Sequence, residues 1–106
     1  MPGKIDLSSI EELQQQAFYN CESIEEVILG KQLKTISENV FGRCKTLKKI
    51  YIPKSVKNIE YRAFYGCDSI QNIYYEGSAD EWNLINIHSS NNSYLSFASV
   101  TYNCSY

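Results

Sequence analysis

The stretch Cys44 to Gly66, CKTLKKIYIPKSVKNIEYRAFYG, decides the fold, because the 23 residues before it repeat its apolar pattern. Those residues, Cys21 to Arg43, read CESIEEVILGKQLKTISENVFGR and align with it without a gap. The matching pairs are Cys21/Cys44, Ile24/Leu47, Val27/Ile50, Leu29/Ile52, Leu33/Val56, Ile36/Ile59, Val40/Ala63 and Phe41/Phe64. The spacing continues forward to Cys67, Ile70, Ile73 and Tyr75 and backward to Ile10, Leu13, Ala17 and Phe18. Self-similarity at one fixed period indicates a repeat protein.

A unit this short cannot bury its own apolar face, so successive units must stack on one another. In the clearest copy, Ile50–Ile52 predicts a strand that Pro53 ends. Val56 and Ile59 predict a second, shorter strand, and the segment 60–67 predicts a helical turn. The sequence therefore predicts a mostly β fold with short helical turns, wound as a solenoid of about four coils. The first coil, with its segment EELQQQAF, is expected to be more helical than the others.

The motifs AFYNC, VFGRC and AFYGC recur in phase, and with NIEYRAFYGCDSIQNIYY they resemble the BspA-type leucine-rich repeat. The resemblance covers Ile5 to about Tyr75. It departs from the family pattern at Gly30, where the pattern has proline, at Val40, where it has alanine, and in a first turn one residue shorter. The resemblance implies a leucine-rich-repeat solenoid from a surface or secreted protein with a role in adhesion or interaction.

The last part of the chain, residues 77–106, is predicted to close the array after repeats that fill residues 1–76. The capping-box pattern Ser78 to Glu81 predicts a short helix, and residues 85–87 and 99–102 predict brief strands. Solenoids need such an atypical end piece to cover the apolar face of the last coil. The side chains expected to form that cover are Trp82, Leu95, Phe97 and Val100.

The sequence gives little support to catalysis or to a cofactor, and neither is expected. Its single histidine, His88, belongs to no nucleophile–base constellation, and there is no glycine-rich phosphate loop. No apolar run approaches the roughly 20 residues of a membrane span, so membrane insertion is not expected. The start lacks an apolar signal region, and the first repeat has no visible cap, which suggests a fragment of a longer protein. The oligomeric state is not fixed by any of these patterns.

Charge is distributed unevenly along the chain, although the net charge is only −2. Residues 44–66 are strongly basic, whereas residues 67–106 contain no lysine or arginine. The acidic flanks argue against a nucleic-acid partner. Glu25 and Glu26 are instead expected to attract Lys48 and Lys49 one strand spacing away.

The cysteines predict neither a metal site nor a disulfide framework. Cys21, Cys44 and Cys67 occur once per repeat in an interior column, and no Cys-x-x-Cys pair exists. They are expected to be free, buried thiols that act as small hydrophobic groups. Cys104 stands apart in the tail.

Alternation along the predicted strands places Ile28, Tyr51 and Tyr74 on the outward side, one above another, with Lys48 and Lys49 at the edge. An exposed apolar and aromatic column flanked by charge fits a recognition surface for a protein or a glycan. The alternative is a structural spacer that holds another domain away from a cell surface. An open column favours binding, and a column covered by the tail favours the spacer.

Overall fold

The computed structural model describes residues 3–88 and 98–105 as one stacked coil with two parallel sheets. In chain order the elements are β1 (Lys4–Leu7), β2 (Glu26–Leu29), β3 (Thr35–Ile36), β4 (Lys49–Ile52), β5 (Asn58–Ile59), β6 (Asn72–Tyr75), α1 (Ala79–Asn83), β7 (Asn86–Ile87) and β8 (Ser99–Thr101). The larger sheet has the order β1-β2-β4-β6-β8, and the smaller one has the order β3-β5-β7. Every described strand pair is parallel, as stacked repeats require.

The register of the larger sheet aligns equivalent residues of successive repeats. Val27 pairs with Ile50 and Ile50 with Ile73, and all three side chains are fully buried. Phe41 and Phe64 are equally buried, and their rings stack with centroids 5.6 Å apart. Phe18 stacks on Phe41 at 5.7 Å but is only half-buried. The repeat columns read from the sequence therefore form the hydrophobic core of the later coils, but Ile10 and Ala17 of the first coil are exposed.

The third side of each coil is built from successive turns rather than from α-helix. Residues one period apart share a left-handed backbone: Gln16, Asn39 and Arg62 have φ of 61°, 56° and 56°. A left-handed residue interrupts an α-helix, and amides of the first two turns pair with the next coil instead. Asn39 N–H, for example, donates to the Tyr61 carbonyl at 3.3 Å, and Phe41 N–H donates to the Ala63 carbonyl at 3.0 Å. The expectation that the first coil is more helical is wrong, because residues 11–14 carry no regular element and residues 15–20 form turns.

The C-terminal part forms the elements predicted for it. Ser78 caps α1: its hydroxyl accepts the Glu81 amide at 3.2 Å, and the Glu81 carboxylate accepts the Ser78 amide at 2.8 Å. Strands β7 and β8 extend the two sheets. Trp82 packs edge-on against Tyr75 at 5.1 Å, and Val100 also packs against the core. Leu95 and Phe97 lie outside the described residues, and the boundary at residue 76 stays a prediction.

The cysteines are free thiols, as expected, but only two of the three in the interior column are fully buried. All four cysteines are free; Cys44 and Cys67 are fully buried, whereas Cys21, the first residue of its column, is only half-buried because no described coil stacks beyond it. Cys44 Sγ donates to the Phe18 carbonyl and Cys67 Sγ to the Phe41 carbonyl, at 3.1 and 2.8 Å. The hydrogen bond with Cys44 and then burial raise the pKa of Cys67. The thiols therefore join neighbouring coils as well as filling space.

Candidate functional site

The outward column of the larger sheet contains the predicted site residues in one line. Ile28 pairs with Tyr51 and Tyr51 with Tyr74. All three are half-buried, which leaves part of each side chain open to solvent. The rings of Tyr51 and Tyr74 stack with centroids 4.7 Å apart and planes inclined by 21°. We call Ile28, Tyr51 and Tyr74 the strip.

Polar residues bound the strip at both ends. Asp6 pairs with Ile28 in β1, and Thr101 pairs with Tyr74 in β8. Both of these side chains are exposed. The apolar part of the outward face is therefore three residues long and is confined to the middle of the sheet.

The surroundings of Tyr51 disfavour loss of its hydroxyl proton. Desolvation raises the pKa of Tyr51, and the charge of Glu26, the neighbouring Tyr74, a hydrogen bond with Glu26 and the Cys104 thiol raise it further. The hydroxyl is thus held in the neutral, donating form beside a carboxylate. Tyr51 has an apolar ring surface and a fixed polar end, the combination that makes tyrosine effective in recognition.

The two predicted lysines are exposed at the edge of the strip. The register places Lys49 between Glu26 and Asn72, and Lys48 N–H donates to the Glu25 carbonyl at 2.8 Å. The expected side-chain attraction does not produce an ion pair within 4 Å between these lysines and Glu25 or Glu26 in the described part of the chain. An ion pair forms elsewhere, between Lys31 Nζ and Glu76 Oε2 at 3.4 Å. Lys48 and Lys49 thus keep solvated ammonium groups.

The strip is neither fully open nor covered. Half-burial comes partly from the stacking of Tyr51 on Tyr74. The pairing of Thr101 with Tyr74 brings the C-terminal segment to one end of the strip. The Cys104 amide also donates to the Tyr75 carbonyl at 2.9 Å, which ties that segment to the end of β6. The column is therefore neither as open as binding would favour nor as covered by the tail as a spacer would favour.

A second cluster lies on the turn side, where the sequence analysis proposed nothing. The guanidinium carbon of Arg62 lies 4.9 Å from the ring centre of Tyr61 and 5.0 Å from that of Tyr65. His88 packs edge-on against Tyr61 at 5.3 Å. The signal was present in the order Tyr-Arg-x-x-Tyr, since two aromatics four residues apart can flank an intervening cation when the backbone turns. We call Tyr61, Arg62 and Tyr65 the arginine clamp.

A groove of about 870 Å³ lies on the remaining side, where the first coil contributes no strand beside β3. Its walls include Glu11, Leu13 and Lys34. The hydroxyls of Ser37 and Ser55 also line it, but both donate to backbone carbonyls, each at 2.6 Å. These serines hold coils together and are not placed as nucleophiles.

Two further kinds of feature, a metal-binding cluster and a membrane-spanning helix, are absent from the residues that the structure describes. Within residues 3–88 and 98–105, no group of three or more histidine, cysteine, aspartate or glutamate side chains is placed to hold a metal ion. Of the residues described, none forms a helix with the length and apolarity that crossing a bilayer requires.

Comparison with known proteins agrees with the coil geometry. Residues 4–105 match the family described as the BspA type leucine rich repeat region, in six copies. The fold is similar to the crystal structure of a leucine rich cell surface protein from Faecalibacterium prausnitzii A2-165, with a TM-score of 0.65 and 25% identity. The match covers 82% of this chain but only 29% of that longer chain. No curated protein matches the sequence.

Proposed function

Because the chain belongs to the BspA-type leucine-rich repeat family, we propose that it is a non-catalytic module that binds a protein or a glycan through the strip. In this proposal it is the recognition part of a secreted or surface-exposed protein. The name of the structural neighbour, a leucine rich cell surface protein, is consistent with that location.

The observation that carries the proposal is the stack of Tyr51 on Tyr74 in a parallel sheet. Each ring is held by its neighbour and by a strand of the solenoid, so it loses little conformational freedom when a ligand binds. A tyrosine presents an apolar edge and a hydroxyl together, and a few such residues commonly dominate an interface. The strip therefore has the physical properties of an anchor.

Lys48 and Lys49 form a charged rim beside this anchor. Exposed rim charges add little affinity, but they raise the association rate of an oppositely charged partner. Added salt reduces this gain in rate. The proposal therefore favours a partner with an acidic region next to an apolar contact.

The first step of the test is a binding screen of the chain against extracellular proteins and glycans. With a ligand in hand, Tyr51→Ala and Tyr74→Ala should each weaken binding by about tenfold or more, the usual effect of truncating an anchor residue. Each variant should melt a few degrees below the parent, because it loses a half-buried, stacked ring, so binding is compared at a temperature where all variants are folded. Binding would be measured by surface plasmon resonance and melting by circular dichroism.

A matched control uses Tyr19, which is 40% exposed on the turn side. Tyr19→Ala should leave the affinity unchanged. If all three variants bind as the parent does, the strip is not the binding surface. A screen that finds no ligand would instead favour the spacer alternative.

A further inference from the structure

The arginine clamp holds a cation with unused hydrogen-bonding capacity. Arg62 Nε is buried and has no hydrogen-bond partner. The side chain forms no ion pair within 4 Å with any residue of the described ranges. Arg62 is half-buried, and its two terminal nitrogens are neither paired within the described residues nor among the buried unpaired atoms, so they reach solvent. A guanidinium has five N–H donors and no acceptor, so these outer donors are free to meet a ligand.

The clamp is also preorganised. Tyr61 and Tyr65 place ring faces on the guanidinium at 4.9 and 5.0 Å, which fixes its plane and removes part of its hydration. A side chain already fixed in this way loses less entropy when it binds. Partial desolvation also strengthens its attraction for an anion.

We propose that Arg62, held between Tyr61 and Tyr65, binds the carboxylate of an acidic side chain on a partner protein. The two terminal nitrogens would donate a parallel pair of hydrogen bonds to the two carboxylate oxygens, the geometry that a planar guanidinium matches. The site lies on the turn side of the solenoid, away from the sheet that carries the strip, so it does not depend on the function proposed above.

A carboxylate fits this site better than a phosphate does. The clamp offers one positive charge and two outer nitrogens, which a carboxylate matches in charge and in number of acceptor oxygens. An acidic peptide side chain also fits better than an acidic sugar. The guanidinium covers one face of each ring and His88 packs against Tyr61, so the rings offer little free surface for stacking a sugar.

The test is an NMR titration of the full chain with the blocked tripeptide Ala-Asp-Ala. We expect saturable shifts of the Arg62 Nε–H signal and of the Tyr61 and Tyr65 ring signals, with affinity in the millimolar range. The blocked peptides Ala-Asn-Ala and Ala-phosphoserine-Ala, and free glucuronate, are the three comparison ligands, and each should bind more weakly. Equal or tighter binding by any of them would overturn the assignment.

The repeats themselves supply the variants. Arg62→Gln and Arg62→Asn introduce the residues that the first two coils carry at this position with the same left-handed φ, so both should fold. Each should weaken binding of the aspartyl peptide by about tenfold, the loss expected for a charge-assisted hydrogen-bond pair. Arg62→Lys keeps the charge but loses the planar fork, and it should also bind more weakly than the parent.

The control variant is Arg43→Gln. Arg43 is an exposed arginine, also at positive φ, in the preceding turn. Removing it should leave the affinity for the aspartyl peptide nearly unchanged. If Arg43→Gln weakens binding as much as Arg62→Gln, or if Arg62→Lys binds as the parent does, general charge attraction explains the result and the clamp is not the site.

Discussion

The first coil and the third coil share one pattern of apolar residues but differ in how well that pattern is buried. Phe64 and Cys67, where the third unit meets the fourth, are fully buried, whereas Phe18 and Cys21, in the same columns where the first coil meets the second unit, are half-buried. The third coil is stacked on both sides, and the first coil has a described neighbour on one side. Burial in this solenoid is therefore a property of the stack more than of the individual repeat.

The largest effect expected to test this comparison comes from removing a ring from the stack of Phe18, Phe41 and Phe64. Phe41 stacks between Phe18 and Phe64 and is fully buried, so Phe41→Ala leaves a cavity with walls on both sides. We expect a loss of about 3–5 kcal/mol in the free energy of unfolding. The measurement is equilibrium denaturation in urea, with the slope compared to confirm two-state behaviour.

The matched control is Phe18→Ala, at the half-buried end of the same ladder. It removes the same atoms from a partly hydrated site, so we expect a smaller loss of about 1–2 kcal/mol. Equal losses for the two variants would mean that the end coil is as well packed as the middle. A loss below about 1 kcal/mol at Phe41 would contradict the stacked core.

The parts of this fold that the sequence predicts are those whose interactions are periodic or local. The inward columns, the parallel strands and the capping box of α1 repeat a local pattern or occur within one short segment, and the sequence alone identifies them. On the turn side, the sequence predicted short turns but not the column of left-handed residues Gln16, Asn39 and Arg62. Asparagine is common at such a backbone but glutamine and arginine are not, so residue type does not identify this column.

Two departures from the family pattern, Gly30 in place of proline and the shorter first turn, lie against each other in the structure. A Cβ at Gly30 would lie 2.5 Å from the Ile10 carbonyl oxygen and 2.9 Å from those of Leu7 and Ser8. The turn after β1 is one residue shorter than its counterpart after β2, so its carbonyls converge on this position. Where the third coil has Pro53, the second coil requires a residue without a side chain.

The second expected effect tests this close approach. Gly30→Ala should destabilise the protein by about 1–3 kcal/mol, because backbone atoms must move to admit the methyl group. The control is Gly3→Ala, whose nearest contacts, at 3.1 Å, would be side-chain carbons of Glu25 and not backbone atoms. Its effect should stay within about 0.5 kcal/mol. Urea unfolding measures both, and a neutral Gly30→Ala would show that the first turn can relax away from the second coil.

The two candidate sites also differ in whether the sequence could predict them. The strip was predictable because strand alternation and the repeat period together fix which residues share a line, and the register places Ile28, Tyr51 and Tyr74 in one line. Its binding role stays a prediction. The arginine clamp was missed because none of its three residues recurs in the coil before, where the columns of Tyr61, Arg62 and Tyr65 hold Glu38, Asn39 and Gly42. Repeat analysis identifies what coils share, so it is least informative where one coil differs.

The smallest expected effect changes no stability and concerns thiol reactivity. Cys44 and Cys67 are fully buried, and each donates its S–H to a carbonyl of the preceding coil. Only a thiolate with access to the reagent reacts, so both should be labelled by a thiol reagent only as fast as the protein unfolds. Desolvation also raises the pKa of Cys21, but its half-burial gives a reagent access without unfolding. Mass spectrometry of the labelled peptides, with Cys104 as a half-buried reference, should place Cys21 ahead of Cys44 and Cys67. Labelling of Cys21 as slow as that of Cys67 would mean that the first coil is covered in solution, and rapid native labelling of all three would rule out the interior column.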